Sequence, residues 1–144
     1  MTSNLKIELY ITLIVRIRRG LSVCGKNNAK PLLLLTVVLL IIDSKLNKNI
    51  IKIDGLINLY NKMFDELNIP KTNIAYPFFY LKNDNFWHLK WKNDEEIFIK
   101  TPSNKFLREN VEYAYLDDDL WELLQDESAR KRIKGVLLEL IKNN

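Results

Sequence analysis

Ala29-Lys30-Pro31-Leu32-Leu33-Leu34-Leu35-Thr36-Val37-Val38-Leu39-Leu40-Ile41-Ile42 decides how this chain folds. From Leu32 to Ile42 only Thr36 interrupts eleven residues of strongly apolar sequence. A membrane span needs about 20 such residues, so the run reads as a helix buried on all sides within a protein core. It starts too late, and lacks the small-residue cleavage pattern, to be a signal peptide. Pro31 suits its first turn, where the missing N–H would have had no partner. A helix of this kind, over about 31–44, must be wrapped by other elements, and the flanking sequence supplies them.

Upstream, helical spacing over 3–19 places Leu5, Leu9, Leu13 and Ile17 on one stripe with Tyr10 and Ile14 beside it. Gly20 is a stop signal, and residues 25–29 form a polar loop. Downstream, Asn47 and Asn49 mark a turn before a short strand over Ile50 to Ile53. Asp54 is placed to cap a helix over about 55–68, with Leu56, Leu59, Tyr60, Met63 and Leu67 inward and Pro70 beyond. Residues 75–100 change character. Phe78, Phe79, Tyr80, Phe86, Trp87, Leu89, Trp91, Ile97, Phe98 and Ile99 are strand-type residues, separated by polar turns at 82–85 and 92–94. Val111 to Tyr115 reads as another short strand. Ser103, Asp117 and Asp126 are placed as helix caps, the last opening a helix over about 127–142 with Ile133, Leu137 and Ile141 in register and Leu138 and Leu140 beside them. The expected class is α+β: a mostly helical domain packed around a small antiparallel sheet.

The composition sets further bounds. With 144 residues, 47% of them hydrophobic and 28% charged, and four each of Gly and Pro, one core-bearing domain over 1–144 is expected, and a disordered or low-complexity chain is excluded. One cysteine, Cys24, excludes an intrachain disulphide; with one histidine, His88, it excludes a Cys/His zinc site within the chain. The net charge of +4 is unevenly spread. Residues 1–30 hold six cations, Lys6, Arg16, Arg18, Arg19, Lys26 and Lys30, against Glu8 alone, while the rest is nearly balanced. Such asymmetry points to an anionic partner, nucleic acid before a membrane surface, with a solvated helix face as the plainer alternative. A soluble, cytoplasmic protein without cofactor is expected.

Enzyme chemistry finds little purchase. Asp117, Asp118, Asp119 and Glu122 suit a metal-dependent nuclease, but acidic residues at a helix start more simply satisfy its free N–H groups and dipole. Asp94, Glu95 and Glu96 read as a solvated turn, His88 as a half-buried sheet residue, and Cys24, near basic residues, has no partner for catalysis. The nucleic-acid signals are better. Arg16, Arg18, Arg19, Lys26 and Lys30 cluster, and Lys30 lies beside a helix start whose N–H groups suit a phosphate. Tyr76-Pro77-Phe78 sets rings side by side in an expected loop entering a strand, either in the core or lining an apolar surface cavity.

Three segments together carry a resemblance. Ala29-Lys30-Pro31-Leu32-Leu33-Leu34-Leu35 resembles a His-Arg/Lys-Pro-Leu-Leu-Leu-Leu segment. The stretch from Ala75 to Trp87 resembles a Tyr-Pro-Phe…Leu…Asp-Gly-x-Trp segment, and Ser103 to Leu124, with Leu107-Arg108-Glu109 and Ala114-Tyr115-Leu116-Asp117, resembles a third. In this order they are similar to the sulphur-binding domain of phosphorothioate-dependent McrA-type restriction endonucleases, over about residues 5–140.

The resemblance implies a shallow apolar cavity that receives the sulphur of a phosphorothioate linkage. Tyr76 and Pro77, with Phe78 next to them, would form it, and Lys30 would supply the charge, with Ala29 where the family often has histidine. It also implies base-reading residues in the stretch Lys100 to Arg108. With the basic cluster, the expected backbone and base contacts are then Arg16, Arg18, Arg19, Lys26, Lys82, Lys100, Ser103, Asn104, Lys105 and Arg108. The implied partner is double-stranded phosphorothioated DNA. Nothing in the sequence matches the HNH nuclease domain of those enzymes, so the chain reads as a non-catalytic reader, a fragment, or a subunit working with a separate nuclease; a homodimer is left open. The alternatives are a general DNA-binding or regulatory domain without sulphur preference, and the metal-dependent nuclease above.

Overall fold

A computed structural model describes residues 3–22 and 25–143; Cys24 lies outside them. The elements follow in the order α1 (Ser3–Val15), β1 (Leu21–Ser22), β2 (Gly25–Lys26), α2 (Ala29–Ile42), α3 (Ile53–Leu67), α4 (Ala75–Tyr80), a 3₁₀ turn (Leu81–Asp84), β3 (Trp87–Trp91), α5 (Asn104–Asn110), β4 (Val111–Leu116), α6 (Asp118–Leu123) and α7 (Glu127–Lys142). This is the expected α+β class. No helix among the described residues is long and apolar enough to cross a membrane.

The α2 helix is the centre. Ten of its residues are buried, including Thr36, which donates its hydroxyl to the carbonyl of Leu32 at 2.8 Å and so leaves no unpaired donor in the core. It packs against α3, α4 and α7, while α1 lies across α6 and α7. The helix starts at Ala29, earlier than Pro31 alone suggests, because Asn27 Oδ1 accepts the Ala29 N–H at 2.7 Å.

The sheet pairs β3 with β4 antiparallel, Trp87 opposite Leu116 and His88 opposite Tyr115, with a bulge after Lys90. Ile51 adds one bridge, exchanging both backbone hydrogen bonds with Ala114. That bridge is all that forms of the strand expected over Ile50 to Ile53, since α3 already begins at Ile53. Asp54 therefore sits in the first turn of α3, not at its cap.

Four further expectations are corrected. The first helix ends at Val15, and its buried stripe is Ile7, Tyr10, Ile14 and Ile17; Leu5 and Leu9 are 60% and 43% exposed. Both stripes have helical spacing, and packing on α6 and α7 selects between them. The segment 75–80 is a helix, not a loop entering a strand. Pro77 falls in its first turn, where no backbone bond is lost, and Asn73 Oδ1 accepts the Ala75 N–H at 2.8 Å. Residues 97–99 form no strand. Asp117 makes no capping hydrogen bond to α6, unlike Ser103 and Asp126, which accept from Phe106 and Ala129 as expected.

After the 3₁₀ turn, Asn85 adopts φ 76°. Asn is among the few residues besides glycine that tolerate this left-handed backbone. The reversal holds Asp84 buried before β3.

Candidate nucleic-acid interface

A cleft of about 580 Å³ opens where three segments meet. The chain leaving α1 contributes Arg18 and Arg19, the start of α2 contributes Ala29 and Lys30, and α4 contributes Tyr76 and Tyr80. Tyr76 is 52% exposed and its ring lies 4.7 Å from that of Tyr80, one helical turn on. At the rim, Asn27 donates its side-chain amide to the Thr72 hydroxyl at 3.1 Å, tying the loop before α2 to the segment before α4.

Beneath the cationic wall sits Asp84. Its Oδ2 accepts from Lys30 Nζ at 2.6 Å, and its Oδ1 accepts from the backbone N–H of Arg18 at 2.9 Å. One buried carboxylate thus fixes both the ammonium and the chain that carries the Arg18 side chain, which remains exposed. Arg19 is committed differently. Its guanidinium donates to the Asn27 carbonyl at 2.8 Å, to Asn28 Oδ1 at 2.7 Å and to the Leu140 carbonyl at 3.3 Å, and burial lowers its pKa. These bonds lock the cleft's outer loop to α7.

Two solved structures match this arrangement of elements. The sulphur binding domain of ScoMcrA complexed with phosphorothioated DNA superposes with a TM-score of 0.66 at 16% identity, over 91% of this chain and 88% of that one. The sulphur binding domain and SRA domain of ScoMcrA complexed with phosphorothioated DNA superposes with a TM-score of 0.71 at 15% identity, over 88% of this chain. The chain has the sulphur-binding-domain fold. It spans 40% of the length of the two-domain structure. No protein-family model matches the sequence, and no curated protein does.

Within the sulphur-binding-domain fold, the residues expected to form the pocket separate. Ala29, Lys30 and Tyr76 line the cleft, whereas Pro77 and Phe78 do not. Both are buried in α4, and Phe78 packs edge-on against Trp87 at 5.5 Å while its carbonyl accepts from the Trp87 indole at 2.9 Å. Tyr80, Asn83, Thr72 and Asn27 take their places at the cleft. Sequence reasoning passed over these and Asp84, because Tyr80 read as a strand residue and 25–29 and 82–85 as polar loops; for Asp84 the signal was the Asp in the segment it resembles.

The basic residues also divide. Arg16 is exposed but does not line the cleft, and Lys26, on β2, lines an adjoining groove against α7 that shares Arg19 and Leu21 with the cleft. Lys82 pairs with Glu96 at 2.9 Å and lies over the Phe79 ring, and together with Lys100 it borders a hollow of about 400 Å³ adjoining the cleft. Ser103 caps α5, and the buried Oδ1 of Asn104 has no hydrogen-bond partner. Lys105 faces Glu109 at 4.0 Å along α5. Arg108 donates to Asp54 at 2.8 Å, which raises its pKa, and lines a hollow with Lys52 and Lys92 instead. None of residues 100–108 lines the cleft itself.

Two members of the acidic cluster, Asp117 and Asp119, are held in structural contacts. Asp117 accepts the Tyr10 hydroxyl at 2.8 Å and lies 2.5 Å from His88 Nε2, and Asp119 pairs with Lys6 at 3.1 Å. Among the described residues no group of three or more His, Cys, Asp or Glu side chains is placed to hold a metal ion.

Proposed function

We propose that these 144 residues form a cytoplasmic, non-catalytic domain that reads double-stranded phosphorothioated DNA within a modification-dependent restriction system. The observation that carries the reading is the convergence of Lys30, Arg18 and the half-exposed Tyr76 ring on one cleft. The neighbours sharing its fold are complexed with phosphorothioated DNA.

The chemistry supports a preference for sulphur. Sulphur is larger, more polarisable and a poorer hydrogen-bond acceptor than oxygen. The Tyr76 ring and the Ala29 methyl offer contact area but no strong donor. A normal phosphate oxygen turned toward these two groups exchanges part of its hydration for apolar contact, at a cost set by the share left uncompensated. Sulphur loses less and gains more dispersion contact. The preference thus arises from penalising the wrong atom. Arg18 and Lys30 supply the attraction for the anionic backbone, and the exposed Arg16 extends it along the strand.

A second reading, a general DNA-binding or regulatory domain without sulphur preference, rests on Ala29, which lines the cleft where the similar family often has histidine. A gel shift at fixed salt separates the two, using identical duplexes with and without one sulphur of defined stereochemistry. We expect at least ten-fold tighter binding to the substituted duplex. Equal affinity overturns the sulphur reading in favour of the second.

A further inference from the structure

Phe98 is 92% exposed, a phenyl ring held almost wholly in water. The loop that presents it is anchored on both sides. Before it, Glu96 pairs with Lys82; after it, the Lys100 carbonyl accepts the Tyr80 hydroxyl at 2.6 Å. Ile99 packs against the core beside it. Both anchors reach back to α4 and its 3₁₀ turn, the unit that also carries Tyr76. The hollow that Phe98 lines shares Tyr80 and Asn83 with the cleft, so the two adjoin, and Lys100 lines the hollow but not the cleft.

Resting on the function proposed above, we propose that Phe98 is a second DNA-contacting element, packing its ring against the bases that flank the linkage seated in the cleft. An apolar ring has no use for a phosphate. In a groove it finds base edges, thymine methyl groups or an unstacked step, and aromatic wedges serve that purpose. The same rigid unit then sets the distance between the backbone contact at Tyr76 and the base contact at Phe98. Phe98 thus contributes affinity and base-context preference, whereas Tyr76 contributes sulphur preference.

The test is fluorescence anisotropy with the full chain and Phe98→Ala on substituted and unsubstituted duplexes, each carrying 2-aminopurine beside the linkage. We expect Phe98→Ala to lose about ten-fold in affinity for both duplexes, to keep the ratio between them, and to abolish the 2-aminopurine response that the unaltered chain produces. Phe98→Leu should recover most of the affinity. Unchanged affinity and an unchanged 2-aminopurine response overturn the proposal. So does unchanged affinity with an altered sedimentation coefficient, which assigns Phe98 to a protein contact. If the unaltered chain binds both duplexes equally, the sulphur reading fails while a ten-fold loss in Phe98→Ala still supports the base contact. If it binds neither, both fall.

Discussion

Lys30 and Asp84 form an almost dry ion pair at 2.6 Å, their side chains 11% and 3% exposed, at the wall of the cleft. The pair joins the start of α2 to the turn after α4, and through the Arg18 N–H it also sets the path of the chain leaving α1. One carboxylate thus ties together three segments of the cleft wall.

Asp84→Ala should destabilise the fold by about 3–5 kcal/mol, because it strands a buried ammonium. Urea denaturation measures this as a lowered midpoint. The double replacement Lys30→Met with Asp84→Leu should recover most of the loss, since a matched apolar pair carries no desolvation penalty. An unchanged midpoint for Asp84→Ala contradicts the structural role.

Tyr76→Ala should erase the preference for sulphur while shifting stability by less than about 1 kcal/mol, as expected for a half-exposed side chain. Phe78→Ala, two residues on, should instead cost about 3–5 kcal/mol through a core cavity. Paired gel shifts and thermal melts on the two variants distinguish a cleft residue from a core residue. A preference that survives Tyr76→Ala removes this ring from the site.

Salt dependence sorts the arginines. Arg18→Ala should leave stability nearly unchanged and reduce the slope of log affinity against log salt by about one. Arg19→Ala should instead lower stability by about 2–3 kcal/mol, because its donors hold two carbonyls and an amide oxygen. Lys30→Ala should weaken both duplexes more than Arg18→Ala, since it also exposes the next phosphate to an uncompensated Asp84. Titrations at several salt concentrations provide the comparison.

Alkaline pH should expose the buried phenols. Burial raises the pKa of Tyr60, and burial together with Asp117 raises that of Tyr10. A folded-state pKa above the unfolded one means the contribution to stability is complete below about pH 10 and declines as the pH climbs through the folded-state values. Absorbance at 295 nm should show a portion of the tyrosine signal appearing only on unfolding, and Tyr10→Phe should shrink that late portion by one phenol. Full ionisation before loss of circular dichroism contradicts this.

Much of the architecture was legible beforehand. The α2 run, the caps at Ser103 and Asp126 and the strand expected over 111–115, which the structure extends to Leu116, all follow from local signals, because apolar content, helical period and capping are properties of neighbouring residues. The errors fell where two local readings are equally good. Leu5-Leu9 and Ile7-Tyr10 are both helical stripes, and only the partner helices choose between them. The aromatic run at 78–80 has strand composition, but it sits directly behind Asn73 and Pro77, which start a helix, and α2 covers its inner face.

The sequence alone determined that a buried helix would organise an α+β domain with its excess positive charge near the start of the chain. Only the tertiary structure decided how each cation is paired. Lys30 and Arg108 each meet their carboxylate 54 positions away, and Arg19 meets a carbonyl on α7 121 positions away. Charge is carried by composition, but neutralisation and desolvation depend on neighbours in space, and long-range packing alone sets those.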